Sequence, residues 1–540
     1  MRIVLILFVV CGCFSSGRGK ESGTELECPP GWWKNAVFYQ IFVRSFADSS
    51  EGSLANDGIG DLQGLIDRLD YLNDGDPATN TDLGVTALWL LPIHPSPSYH
   101  GYDVTDYYGI NPQYGDLRLF KHFLAEAHRR GIRVIIDLVL NHCSTEHPWF
   151  REALEADSQS PKRSLFRFSP EPLQPSGPWG EPCWRTYKDG YFYGAFADDM
   201  VDWNFQSQKV TRHHYEVAKF WLKKIGVDGF RVDAARYFEE DGNKLADTPE
   251  TKTWLRDFTA YCHSLKPDAF VMGEVWTKSN AVSQYVRGGS LDSAFEFELA
   301  YRLLSAARFG LADPLIERLK SSEAAFGGHA WGTFLANHDQ DRALSVLDGS
   351  VAKARLAAFL QFTVPGIPFI YYGEEIGMSG RKPDPDLRTP MQWTGEPNAG
   401  FTAAGVQPWR TVNADFPTVN VTAESANDDS LLALYRRLVR LRGTSPALRS
   451  GRDVAFTFQG RGFYAAMRES DTDIVLVLSN LDGRASDQWT LALPPSVQSL
   501  GAPNAVFSTE PNVDTSSLAL TGTPFSIPAR SGLVFQWRKR

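Results

Sequence analysis

The chain has 540 residues, 43% of them hydrophobic and 22% charged, so it carries the apolar material for a sizeable core and is too long for one ordinary domain. Its net charge of −10, with acids and bases interspersed, argues against nucleic-acid and anionic-membrane partners and suits a neutral one.

In chain order, the first segment is MRIVLILFVVCGC. One Arg, an apolar run over 3–10 and then small residues make residues 1–13 a secretory leader, too short to span a membrane. The stretch Val10-Cys11-Gly12-Cys13 resembles a bacterial lipoprotein signal, so export ends either in a lipid anchor on Cys13 or in simple cleavage. Residues 14–31, rich in Ser, Gly and Glu, read as a tether. From Trp32, strand-like runs alternate with longer helical patterns. The strand runs are VFYQIFV (from Val37), VTALWLLPI (from Val85), IRVIIDLVL (from Ile132), VDGFRVDA (from Val227), AFVMGEVW (from Ala269), LDSAFEF (from Leu291), WGTFLANH (from Trp331) and IPFIYYG (from Ile367). Stretches such as DLRLFKHFLAEAHRRG and VTRHHYEVAKFWLKKIG lie between them, each stopped by basic residues and a Gly. Eight such units predict an α/β chain closed as a (β/α)8 TIM barrel, over residues 32–142 and 201–446. Residues 143–200 interrupt the third unit with no clear period and are expected to form a B lobe over the barrel mouth. Residues 447–540 alternate in short runs and predict a C-terminal antiparallel β-sandwich. Cys28, Cys143, Cys183 and Cys262 follow the leader; they allow three full pairings, or stay as buried free thiols. No protein partner is implied, and a monomer is expected.

In such a barrel the reacting groups sit at the C-terminal ends of the strands. The third strand ends in Asp137-Leu-Val-Leu-Asn141-His142, the fourth at Arg231 and Asp233, the fifth at Gly273-Glu274, and the seventh at Asn337-His338-Asp339. A buried charge at a strand end is costly unless paired or used; one could be a structural ion pair, but three carboxylates and two histidines from four strands point to a site. Cleaving a glycosidic bond needs an acid for the leaving oxygen and a second carboxylate near the anomeric carbon. Arg231 and Asp233 point to one side of their strand, and the guanidinium keeps the carboxylate ionised, so Asp233 is expected as nucleophile. Glu274 has no adjacent cation in the sequence and is expected to hold a proton as general acid/base. Asp339 is the third carboxylate, and His142 and His338 are donors to sugar oxygens.

DLVLNH, GFRVDA, GEVW and ANHD, in that order and spacing, resemble the signature segments of the α-amylase family of glycoside hydrolases, over roughly Trp32 to the C-terminus. The resemblance implies a retaining enzyme with Asp233 as nucleophile, Glu274 as proton donor and Asp339 as transition-state stabiliser. It also places Tyr102, His142, Arg231 and His338 on the sugar at the cleavage site; Trp276 and Arg388 join this binding set. HGYDVTDYYGINPQYG and YYGEEIGM are similar to a bacterial branch of α-amylases, oligo-1,6-glucosidases and neopullulanases. RTPMQW leans toward α-glucosidases, and DYLNDGDPATNTDLGV toward secreted, lipoprotein-like α-amylases. The fifth segment, Met200-Val-Asp202-Trp-Asn204, lacks the usual Pro and Leu. NDGIGDLQG resembles a calcium loop: Asp48, Asp57, the carbonyl of Ile59 and Asp61 are the expected Ca2+ ligands, against a plain N-cap at Asp61. Asn141 is a weaker metal candidate. Trp149, Trp179, Trp184, Phe192, Tyr193 and Trp203 are candidate stacking platforms. The function expected is endo-hydrolysis of α-1,4-glucosidic bonds in starch, glycogen or maltooligosaccharides. The alternatives are an exo-acting α-glucosidase, a transglycosylase such as trehalose synthase, and a non-catalytic sugar-binding relative.

Overall fold

Every residue of the strand Phe38–Ile41 is buried, as are those of Ala87–Leu90, Gly229–Val232, Phe270–Gly273 and Ile367–Tyr371. A parallel sheet covered by helices buries both its faces, which is why these runs are apolar without alternation. The computed structural model describes residues 30–539 apart from 174–175, 189, 242–243, 460–461 and 511–524. The leader, with Cys11 and Cys13, and Cys28 lie outside the described residues.

The barrel strands are β1 (Phe38–Ile41), β2 (Ala87–Leu90), β3 (Arg133–Leu138), β4 (Gly229–Val232), β5 (Phe270–Gly273), β6 (Ser293–Ala294), β7 (Gly332–Thr333) and β8 (Ile367–Tyr371). Their order is β6-β5-β4-β3-β2-β1-β8-β7, all parallel. A bridge between Phe295 and Gly332 joins β6 to β7 and closes the ring. All eight expected runs contribute, but the sixth and seventh pair over only two residues each. Past β7 the chain leaves the sheet, and the loop carries Asn337–Asp339 toward the barrel mouth. The helix Leu117–Arg129 starts on Asp116, whose carboxylate accepts the N–H of Leu119. The helix Gln208–Lys219 runs on as a wider turn, Phe220–Ile225, and stops at Gly226 in the left-handed region (φ 101°).

Register sets the chemistry. Asp137 of β3 lies opposite Arg231 of β4, and Arg231 opposite Met272 of β5. Side chains repeat every second residue, so Asp137, Arg231, Asp233 and Glu274 share one side.

The segment after β3 leaves and returns through an antiparallel pair, His142–Ser144 with Met200–Asp202. Between them lie the helix Pro148–Glu155 and a small antiparallel sheet of Phe168–Ser169, Gly190–Tyr193 and Trp184–Tyr187. Strands of two to four residues are too short to show a period.

Beyond the helix Leu431–Thr444 come two antiparallel sheets, one of five strands and one of three. Their core includes Phe463, Leu476, Leu478, Trp489, Leu533 and Phe535. The strand Asn504–Ser508 had no counterpart among the expected runs; three of its five residues are exposed, so it carries little apolar signal.

Candidate active site

A cavity of about 740 Å3 opens at the C-terminal ends of the strands. Asp233, Glu274, Asp339, Tyr102, His142, Trp276 and Arg388 all line it. Arg231 and His338 stand behind the lining, almost fully buried.

Arg231 is the hub. It donates through Nη1 to Asp137 Oδ1 (2.8 Å) and Asp233 Oδ1 (2.7 Å), and through Nη2 to Glu274 Oε2 (2.8 Å). Glu274 Oε2 also accepts the N–H of Ala234 (3.1 Å). One expectation is corrected here: Glu274 was to lack an adjacent cation, yet it shares Arg231 with Asp233. Within β4 the sequence pairs Arg231 only with Asp233; the register between β4 and β5 supplies the second partner. Arg231 therefore does not separate the two carboxyls. Burial pushes Asp233 and Glu274 up to about 7 each, and Asp137 to about 6, against the opposing pull of Arg231. Such a coupled group holds a proton near neutrality as a set rather than residue by residue.

On the facing wall, Asp339 accepts from Arg388 Nη2 at Oδ1 (3.0 Å), and its Oδ2 lies 3.2 Å from His338 Nε2. Arg388 also donates through Nε to the carbonyl of His338 (3.0 Å). Much of its guanidinium thus goes to holding Asp339 and its loop. His142 is buried and held neutral, its value lowered to about 3 by desolvation against the opposing pull of the Tyr102 backbone. Tyr102 donates to Asp137 Oδ2 (3.0 Å) and meets His338 Nε2 at 2.6 Å. Trp276 is 38% exposed and stacks on Phe297, centroids 4.6 Å apart.

Of the six aromatic platform candidates only Trp179 lines the cavity; it is 73% exposed and packs edge-on against Phe196. Tyr193, Phe192 and Trp203 are core, Trp184 packs on Tyr193, and Trp149 lies against His213. Sequence reasoning gave Asp137 no role and left out Gln40, Tyr99, His100, Lys382 and Asp384, all in or directly behind the lining. Asp137 and Gln40 had a readable signal, a lone polar residue inside an apolar strand. The loop residues had none. Met200 of the divergent fifth segment lines the cavity, and Asp202 accepts from the Asn141 amide (3.0 Å).

In the calcium-like loop, burial and then the nearby charges of Asp57 and Asp61 hold the Asp48 carboxyl above its ordinary value. Asp48 accepts the N–H groups of Asn56 (3.0 Å) and Gly58 (2.8 Å). Asp61 accepts from the N–H and hydroxyl of Ser49 and caps a short helix at Gly64 N. Asp57 accepts from the N–H of Ile59 and faces solvent. Among the described residues no three acidic, His or Cys side chains are placed to hold a metal. Cys143, Cys183 and Cys262 are free and buried, with burial pushing each thiol up.

The alpha-amylase catalytic domain family matches residues 40–451. Alpha-amylase 3 of Dictyoglomus thermophilum is 38% identical over 455 residues, covering 84% of this chain and 85% of the relative. Oligo-1,6-glucosidase of Parageobacillus thermoglucosidasius is 32% identical over 489 residues, covering 76% and 83%. The crystal structure of alpha-amylase from H. orenii superposes with a TM-score of 0.82 at 36% identity, covering 94% of this chain and all of that one. With the barrel, the order of the strand-end motifs and the carboxyl cluster in one cavity, these likenesses mean that the chain belongs to the α-amylase family and is a retaining glycoside hydrolase.

Proposed function

We propose that the enzyme is an endo-acting α-amylase that hydrolyses α-1,4-glucosidic bonds in starch, glycogen or maltooligosaccharides. The observation that carries this reading is the carboxyl trio Asp233, Glu274 and Asp339 around a broad cavity whose rim exposes two indoles, Trp179 and Trp276. Flat apolar faces at a rim suit a chain of glucose units that runs past the cleavage point.

In the first step Asp233 attacks the anomeric carbon while Glu274 gives its proton to the departing glycosidic oxygen, leaving a glucosyl ester on Asp233. Glu274, now a carboxylate, takes a proton from water as that water attacks the anomeric carbon and displaces the Asp233 carboxylate from it. The enzyme returns to its starting state with the anomeric configuration kept. Arg231 stabilises whichever of the two carboxyls is ionised at each stage, so the charge moves between them without leaving its counter-ion. His142, His338 and Asp339 act on the hydroxyls of the ring being cleaved.

The competing reading, an exo-acting α-glucosidase, draws on the charged wall of Lys382, Asp384 and Arg388, which would stop a chain, and on the likeness to oligo-1,6-glucosidase. A product time course on soluble starch, with maltotriose and trehalose in parallel, separates the two. Mixed maltooligosaccharides and fast loss of iodine colour are expected. Glucose alone from short substrates, with starch nearly untouched, would replace the endo reading. Asp233→Asn should lose at least about a thousandfold in kcat while binding maltooligosaccharides; full activity in that variant would overturn the assignment. We also propose export through residues 1–13, with the mass of the mature N-terminus distinguishing a lipidated Cys13 from simple cleavage.

A further inference from the structure

Gln40 lies on β1, is 2% exposed, and brings Nε2 to 2.8 Å from Nδ1 of His338. A neutral imidazole carries its proton on only one nitrogen, and the other accepts. Which one it is follows from the far end of the same hydrogen-bond chain.

Asp137 is held by Arg231 through Nη1, at 2.8 Å to Oδ1 and 3.1 Å to Oδ2. Of the three carboxyls Asp137 gives up its proton first, at about 6 against about 7 for Asp233 and Glu274; as a carboxylate it only accepts, so the Tyr102 hydroxyl at 3.0 Å must donate to it. That uses the single proton of the phenol. The 2.6 Å contact between Tyr102 and His338 Nε2 must then be a bond from Nε2–H to the phenol oxygen. Nδ1 is left without a proton, so Gln40 must donate. The polarity of the chain is fixed throughout: Gln40 to His338 to Tyr102 to Asp137. Surrounding cations act the same way: burial, then Arg388, Arg231 and Lys382, keep the His338 ring neutral.

We infer that Gln40 is a positioning residue that sets the tautomer of His338, so that Nε2–H is held as a donor between the Tyr102 phenol oxygen and Asp339, just behind the cavity lining. The inference rests on the reading of this cavity as the hydrolytic site. Its functional content is that His338 is locked as a donor: Nε2–H, shared between the Tyr102 oxygen (2.6 Å) and Asp339 Oδ2 (3.2 Å), fixes both groups at the cavity and leaves Nε2 unable to accept a proton. In the reversed tautomer Nε2 would turn a lone pair toward Asp339 and take the phenol proton from Asp137, leaving that carboxylate with Arg231 and the indole N–H of Trp89 (3.3 Å).

The test is read on the whole protein with 15N-labelled histidine, the His338 resonances being assigned by their loss in His338→Gln. In the wild type we expect a bare Nδ1 and a protonated Nε2 from pH 6 to 8. Gln40→Glu places an acceptor against Nδ1; it should protonate that nitrogen and lower kcat at least about fiftyfold with KM changed less than threefold. Gln40→Met removes the donor without adding an acceptor and should cost about fivefold to tenfold in kcat. A wild-type spectrum with a protonated Nδ1 would overturn the inference, as would a folded Gln40→Glu enzyme that keeps both the tautomer and the kcat of the wild type. The spectrum reads the tautomer even if starch proves a poor substrate, so failure of the functional reading would leave a different trace.

Discussion

Three buried carboxyls around one guanidinium make the residue-scale energetics depend on pH. Glu274 rises from its ordinary 4.5 to about 7 in the folded enzyme, chiefly through burial. Between those values the folded state keeps a proton that the unfolded chain has released, so stability falls as pH rises through the window. Asp233, raised from 3.8 to about 7, acts in the same direction. Glu274→Gln removes one such group, and its Tm should fall less than that of the wild type between pH 5 and pH 8, with a relative gain of about 1–3 kcal/mol at pH 8. Equal pH dependence in the two proteins would show that the carboxyl is not destabilising when ionised. Trp179 is a different case. At 73% exposure it contributes little to folding, so Trp179→Ala should leave Tm unchanged. If the indole supports a distant glucose unit, KM for long maltooligosaccharides should rise about threefold to tenfold, with maltotriose much less affected. Unchanged kinetics on every chain length would remove Trp179 from the substrate path.

At the scale of the elements, the arrangement of carboxyls depends on how closely β4 and β5 approach. Gly229 opens β4, and a Cβ there would come within 2.0 Å of the Phe270 carbonyl oxygen and 2.7 Å of its nitrogen. These are backbone atoms paired in the sheet and cannot move aside. Gly229→Ala should cost at least about 2 kcal/mol of stability. It should also lower kcat, because the Arg231 contacts to Asp233 and Glu274 depend on this register. Denaturant unfolding and turnover of the same preparation check both parts, and a stable variant of full activity would show that the strands separate more easily than the geometry implies. Gly332 on β7 makes a second close approach: a Cβ would lie 2.4 Å from Met272 Cε and 3.0 Å from the Phe295 ring.

Across the whole molecule, the C-terminal sheets are joined to the barrel through the helix Val351–Thr363, which is buried along nearly its whole length. Gly532 of the strand Ser531–Arg538 accepts the ring of Phe359 from that helix, leaving no room for a Cβ, which would sit 2.2 Å from Cε1. Arg355 on the same helix donates to the carbonyls of Asp429, Ser430 and Thr509. One element thus serves two cores. Calorimetry should therefore give a single unfolding transition, and Gly532→Val should lower its Tm by about 4 °C or more without splitting it. Two separate transitions would mean that barrel and sandwich unfold independently.

By itself the sequence determined the barrel, its closure by eight units and the strand ends that carry Asp233 and Glu274, with Asp339 on the loop that follows the seventh strand. Those features are local: an apolar run buried on both faces, a helix ended by Gly, a carboxyl placed after the run. Gln40 and Asp137 stand as polar residues inside apolar strands, a signal present in the sequence that its reading did not use. Only the tertiary structure decided what Arg231 does, because cross-strand register places Glu274 and Asp137 beside it from chain positions far apart. The same holds for the His338 tautomer, which depends on a hydrogen-bond chain through β1, β3 and two loops. It holds too for the indoles: Trp179 and Trp203 look alike in sequence, and only packing puts one at the rim and the other in the core. Hydrophobic patterning is written along the chain, whereas the partner of a polar atom is set by whichever segment folds against it.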